Sequence, residues 1–197
     1  LSIHFLIILL IVFFIFTKVT PIKHWKAMAS AFATAFSTSS SGATLPVTIN
    51  CVENNVGVSN RTTSFVLPLG ATINMDGTAL YQAVAAVFIA QTLGIPLDLT
   101  AQLSIVFLAL LASIGTAAVP SAGLVMLIVI LETINVPAAG IALILGVDRP
   151  LDMARTAANI TGDVTVAAIV AAGEGQLAPV GAATDPGGAV AAPSTTL

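Results

Sequence analysis

Apolar residues run along this chain in long blocks, and nearly every block is interrupted by a short polar stretch. Residues 1–17, LSIHFLIILLIVFFIFT, are almost wholly apolar and predict the end of a transmembrane helix in a chain truncated at its N-terminus. The run is short enough that a secretory signal peptide is the alternative, although no small-residue cleavage site follows it. Residues 18–26 carry Lys18, Lys23 and Lys26 and predict a cytoplasmic loop by the positive-inside rule. Residues 27–54 are apolar at both ends but hold STSSSGATLP, Ser37 to Pro46, in the middle. Serine competes for backbone hydrogen bonds and proline removes one, so two half-helices around a polar tip are expected. That pattern fits a re-entrant hairpin, and equally a serine-rich cytoplasmic linker. A polar connection at 55–62 leads to an apolar span at 63–93, broken at its centre by ATINMDGTALYQ. Residues 94–99 form a turn without lysine or arginine, as on an outer face. Residues 100–136 repeat the hairpin pattern around SIGTAAVPSAG, Ser113 to Gly123.

The last apolar block, 137–172, contains DRPLDMARTAANITGD, with Asp148, Arg149, Asp152, Arg155 and Asp163. A charge near the bilayer centre costs roughly 2.5–3.5 kcal/mol on insertion scales, so these must face protein or water. At about 100° per residue, Asp148, Asp152, Arg155, Asn159 and Asp163 share one stripe roughly 80° wide. Leu151, Met153, Ala157 and Ile160 fall elsewhere. In the earlier span, Asn74, Asp76, Gly77 and Thr78 put a carboxylate and a loosened backbone at mid-depth. Unwound carbonyls with Asp76 suit a small hard cation, the alternative being that Asp76 only breaks the helix. The tail, 173–197, is rich in Gly, Ala and Pro and is expected to be a disordered cytoplasmic segment.

Composition decides the solvent. Of 197 residues, 57% are hydrophobic and 8% charged, and the mean hydropathy is +1.04. That is an integral membrane protein of helical class. A net charge of −3, with six Lys and Arg in no basic patch, argues against a nucleic-acid partner. The lone Cys51 excludes an internal disulfide. His4 is read as a helix-packing residue and His24 as a loop residue. The order hairpin, broken helix, hairpin, broken helix is an internal repeat, inverted if the hairpins enter from opposite faces. Secondary transporters bind substrate and ions between such repeats.

The segments STSSSGATLPVT, LPLGATINMDGTALYQ, LASIGTAAVPSAG and LDMARTAANITGD resemble, in order, the four signatures of the dicarboxylate/amino acid:cation symporters. The resemblance covers about Leu1 to Ala172 and suggests the C-terminal half of a prokaryotic member: the end of helix 6, hairpin 1, helix 7, hairpin 2 and helix 8. It implies an all-α transport core of re-entrant hairpins and broken helices, a homotrimer in the cell's inner (plasma) membrane, lipid contact and elevator-type movement. It implies no covalent cofactor and no enzyme activity. For substrate, the resemblance implies Arg155 against a side-chain carboxylate and Asp152 against an α-ammonium. Thr78, Thr156 and Asn159 are further contacts, and Ser40, Ser41, Val119 and Gly123 close from the two tips. For sodium, it implies one site at Asp163 with backbone oxygens of Gly70, Asn74 and Asn159. A second comprises Thr72, Ser113, Ile114 and Thr116, and part of a third comprises Asn74 and Asp76, with Met75 between the sites.

The chain departs from the pattern where relatives place an auxiliary arginine, having Ser39 and Met153 there. Arg149 could substitute in part or form a local ion pair. Gly42 in place of a serine is expected to loosen the first tip. The function this implies is sodium-coupled uptake of aspartate or glutamate; the alternatives are a proton-coupled dicarboxylate or amino acid symporter of the same family, an ion channel, and an intramembrane enzyme using Asp76 and Asp152.

Overall fold

A computed structural model describes residues 1–178, and they are helical almost throughout; the only β pairing among them is one isolated bridge. The expected tail falls partly outside the described residues. Its first six, 173–178, are ordered and fold back on the body of the protein.

Helix α1 spans His4–Thr17 and α2 spans Pro21–Thr38, bent at 114° to each other. Lys18 turns left-handed at φ 59 and Pro21 opens α2, a position where a missing N–H costs nothing. The loop expected at 18–26 therefore shrinks to 18–20. His24 accordingly lies in a helix, buried, with its ring 4.1 Å from that of Phe13.

The serine run interrupts the chain far less than expected. Only Ser39, left-handed at φ 52, and Ser40 separate α2 from α3 (Ser41–Cys51). Ser40 caps α3 by accepting from the Ala43 amide at 3.0 Å, so the residue type that weakens a helix interior starts one here. Pro46 sits inside α3, and a wider turn at Val52–Val56 extends the helix before Gly57 ends it. The pair α2–α3 is hairpin 1.

Ser59 caps α4 (Asn60–Ile73). After a two-residue break at Asn74 and Met75, α5 (Asp76–Thr92) continues in nearly the same direction, and the two make a 33-residue span. Hairpin 2 consists of α6 (Leu99–Ile114), an irregular tip at 115–121 and α7 (Ala122–Thr133). A short 3-10 turn at Ala138–Leu143 leads into α8 (Leu145–Gly173). The last helix starts later than expected and runs unbroken. Pro150 lies within its first two turns, where only the bond to the Gly146 carbonyl is forfeited.

Two apolar cores result. One joins Phe13, Met28, Val52, Leu67, Ile160 and Val164, gathering α1, hairpin 1, α4 and the far half of α8. The other joins Tyr81, Ile89, Ile105, Leu127 and Ile130, gathering α5 and hairpin 2. Phe65, Val84, Leu99 and Phe107 remain exposed on the outside, as lipid-facing side chains do. The polar seam lies between the cores. From Thr156 to Thr165 α8 is buried on every side, so Ala157 and Ile160, off the polar stripe, are as enclosed as Asn159.

Candidate functional site

The charged stripe of α8 is buried along its whole length: Asp148, Asp152, Arg155, Asn159 and Asp163 are each at most 6% exposed. Buried charge persists only when paired, and each residue finds its partner on another element or one helical turn away. Arg155 donates from Nε and Nη2 to Asp152 Oδ1 at 2.9 and 2.7 Å. The guanidinium lies over the Tyr81 ring, 4.0 Å from its centroid. The Tyr81 hydroxyl donates to Asp148 Oδ1 at 2.6 Å, and Asp148 lies 3.7 Å from Arg155 Nη1. Nη1 itself has no hydrogen-bond partner among the described residues.

Asn159 links α8 to α5. Its Oδ1 accepts from the Gly77 amide at 2.9 Å and its Nδ2 donates to Thr78 Oγ1 at 3.1 Å. Gly77 has to be small: a Cβ there would lie 2.8 Å from the Arg155 carbonyl oxygen. Thr156 bonds back to the Asp152 carbonyl at 2.9 Å.

The two hairpin tips close over this floor. Ser121, at the end of the second tip, donates its amide to Asp152 Oδ2 at 2.9 Å. Gln82 Nε2 donates to the Gly123 carbonyl at 3.1 Å. The tips also meet directly: Ala118 O accepts from Ser40 Oγ at 2.6 Å and from the Gly42 amide at 3.3 Å. A Cβ on Gly42 would stand 3.2 Å from that oxygen, so this glycine allows a close approach where a looser tip was expected. Between them lies a cavity of about 20 Å³, room for about one water molecule. Ser41, Thr78, Val119, Gly123, Asp152, Arg155, Thr156 and Asn159 line it; Ser40 does not, its hydroxyl being committed to Ala118.

The residues implicated in cation binding gather less completely. Asp163 Oδ1 accepts from Asn74 Nδ2 at 3.0 Å. A Cβ on Gly70 would lie 2.5 Å from the same oxygen, and one on Gly162 would lie 2.9 Å from Asn74 Nδ2 and 3.2 Å from Asp76 Oδ1. Gly70, Asn74, Asp76 and Asp163 thus crowd together at the helix break, a set of hard oxygen donors. Asp76 is also engaged by His4 Nε2 from α1. Met75 and Thr116 border the cavity. Thr72 is exposed and bonds to Leu69 O, Ser113 bonds to Leu110 O, and Thr116 bonds to Ala112 O. Ile114 is exposed. The side-chain bonds of this second set stay within each helix.

Three participants were given no place in the site by the reading of the sequence, His4, Tyr81 and Gln82, and Asp148 was placed on the stripe without a partner. Each is a polar residue in an apolar run, and that was the signal available for finding them. Arg149 lies 3.7 Å from Asp152 Oδ2 with its side chain half exposed, a local ion pair at the edge of the site.

The description of the sodium:dicarboxylate symporter family matches residues 1–172. An excitatory amino acid transporter of Caenorhabditis elegans is 51% identical over 170 residues, covering 86% of this chain and 34% of the relative. Human excitatory amino acid transporters 3 and 2 are 49% and 48% identical over the same length, which is 32% and 30% of theirs. The chain therefore spans about a third of the length of these curated relatives. Each of these relatives is named as an excitatory amino acid transporter. With apolar helices long enough to cross a membrane and a match over nearly all of its described length, this chain belongs to the sodium:dicarboxylate symporter family.

Proposed function

We propose that this chain is the transport core of a secondary active symporter that takes up aspartate or glutamate together with sodium. The observation that carries this reading is Arg155. It is 2% exposed, in the wall of the cavity, and one guanidinium nitrogen lacks a hydrogen-bond partner among the described residues. An unsatisfied buried charged donor is costly, and a carboxylate is the group a planar guanidinium meets best. Asp152 beside it offers an anion to an ammonium group, and Asn159 with Thr78 and Thr156 offers neutral hydrogen bonds. Asp152 for an ammonium, Arg155 for a side-chain carboxylate and Asn159 for the α-carboxylate together fit a zwitterion with a further carboxylate, in keeping with relatives named as amino acid transporters.

A cavity of about 20 Å³ cannot admit an amino acid, so the tips must part. The tip of hairpin 2, seven residues long with Val119 exposed, is the one that lifts. Sodium binds at Asp163 with carbonyls of Gly70, Asn74 and Asn159. A second ion binds where Thr72 meets Ser113, Ile114 and Thr116 as the tip settles, and Asn74 with Asp76 contributes to a third. Such a second site ties closure to sodium, because its ligands come from α4 and from hairpin 2. The loaded core then moves as an elevator against a scaffold, in a homotrimer surrounded by lipid in the inner (plasma) membrane. Hairpin 1 enters from the cytoplasmic side and hairpin 2 from outside.

The test is uptake of labelled aspartate by the full-length protein in vesicles. Accumulation is expected only with an inward sodium gradient, with loss of acidic substrates in Arg155→Ala. Uptake indifferent to sodium but driven by a proton gradient would replace this reading with the proton-coupled one. Conductance without accumulation would replace it with a channel.

A further inference from the structure

The segment that follows α8 is built as a clasp. α8 ends in a left-handed glycine, Gly175 at φ +68, with Gln176 N donating to Ala171 O at 2.7 Å and Gly175 N to Ala172 O at 3.3 Å. That paired arrangement fixes the direction in which the chain leaves the helix. Hairpin 1 ends in the same manner. Gly57 takes φ +89, with its amide and that of Val58 on the Val52 carbonyl at 3.0 and 3.1 Å.

The two exits meet. Leu177 pairs with Val58 in an antiparallel bridge, and the Ala178 amide donates to Gly57 O at 2.8 Å. Gln176 Oε1 accepts from Ser59 Oγ at 2.8 Å and from Thr62 Oγ1 at 3.3 Å, the residues that cap the start of α4. Leu177 packs against the first core, and Val58 and Ser59 are at most 1% exposed. Gly57 is required twice over, by its φ and because a Cβ would lie 2.6 Å from the Ala178 carbonyl oxygen.

We propose that Gln176–Ala178 is a clasp that secures the base of hairpin 1 and the start of α4 to the end of α8, and that these ends open locally without it. Hairpin 2 lies outside the clasp. The inference does not depend on what the protein carries.

Two experiments on the full-length protein in lipid nanodiscs test it. Residues facing each other in an antiparallel bridge have Cα atoms about 4.5–5.5 Å apart, within the reach of a disulfide. Val58→Cys with Leu177→Cys should therefore crosslink on mild oxidation, read by peptide mass because Cys51 is also present; no crosslink would overturn the clasp. Truncation after Gly175, and separately Gly57→Ala, should speed amide hydrogen exchange over 57–63 about tenfold while leaving 115–133 unchanged. Exchange unaltered at 57–63, or raised equally in both regions, would also overturn it.

Discussion

The two hairpins occupy equivalent places in the repeat, yet they are secured differently. Hairpin 1 turns within two residues, Ser39 and Ser40, both buried, and the second caps its own helix. Hairpin 2 needs seven, 115–121, with Val119 57% exposed and Ser121 left-handed at φ 62. The first tip is held largely by local hydrogen bonds. The second has local bonds of its own, such as Val119 N to Ala117 O and Ala122 N to Val119 O, and is held as well by Asp152 on α8, Gln82 on α5, and Ser40 and Gly42 on the other tip. A loop stabilised by other elements is released when they let go, and a loop stabilised by its own caps is not. The same hairpin plan therefore yields a tight two-residue turn and a longer tip tied to α5 and α8.

Substitutions can break or sharpen that contrast. The largest effect is expected from Arg155→Ala, which leaves Asp148 without its cation and Asp152 with only the half-exposed Arg149. Removing one partner of a buried pair costs about 3–5 kcal/mol, so thermal stability should fall and binding of acidic substrates should be lost. A thermal melt beside aspartate binding checks this, and both hairpins should be affected. Next comes Gln82→Leu, which removes the bond to Gly123 O and should cost about 1–3 kcal/mol. Proteolysis or hydrogen exchange should then increase at 115–123 and not at 38–44; equal loosening of both tips would contradict the contrast. Ser40→Ala removes a helix cap and one bond to Ala118, about 1 kcal/mol. It should raise exchange at the start of α3 and, more weakly, at the second tip. Gly42→Ala is the mildest: its methyl at 3.2 Å from Ala118 O should force a shift of a few tenths of an ångström. The readout is a modest rise in exchange at 117–119, with the rest of hairpin 1 unchanged.

Much of the fold was legible because a membrane restricts the choices. Blocks of apolar residues can only be helices there, and a charged stripe such as Asp148 to Asp163 can only face inward. Boundaries were less legible. The run Ser37 to Ser41 read as a break, whereas Ser40 starts a helix, because whether a serine hydroxyl competes with the backbone or caps it depends on the turn preceding it. The last helix read as broken because of its polar stretch, yet it runs unbroken, and Pro150 near its start disturbs little. Gly42 read as looseness because its neighbour, Ala118, is 76 positions away.

By itself the sequence determined the solvent, the helical class, the places where apolar blocks are interrupted, and the burial of Asp152, Arg155, Asn159 and Asp163. Periodicity and the cost of charge in hydrocarbon are enough for that. Only the tertiary structure decided the partners: Tyr81 under Arg155 and on Asp148, Gln82 on Gly123, His4 on Asp76, and the residues after α8 on Gly57. Those pairings join side chains far apart in the chain, and which ones meet is settled by how the helices pack, a property that no local pattern encodes.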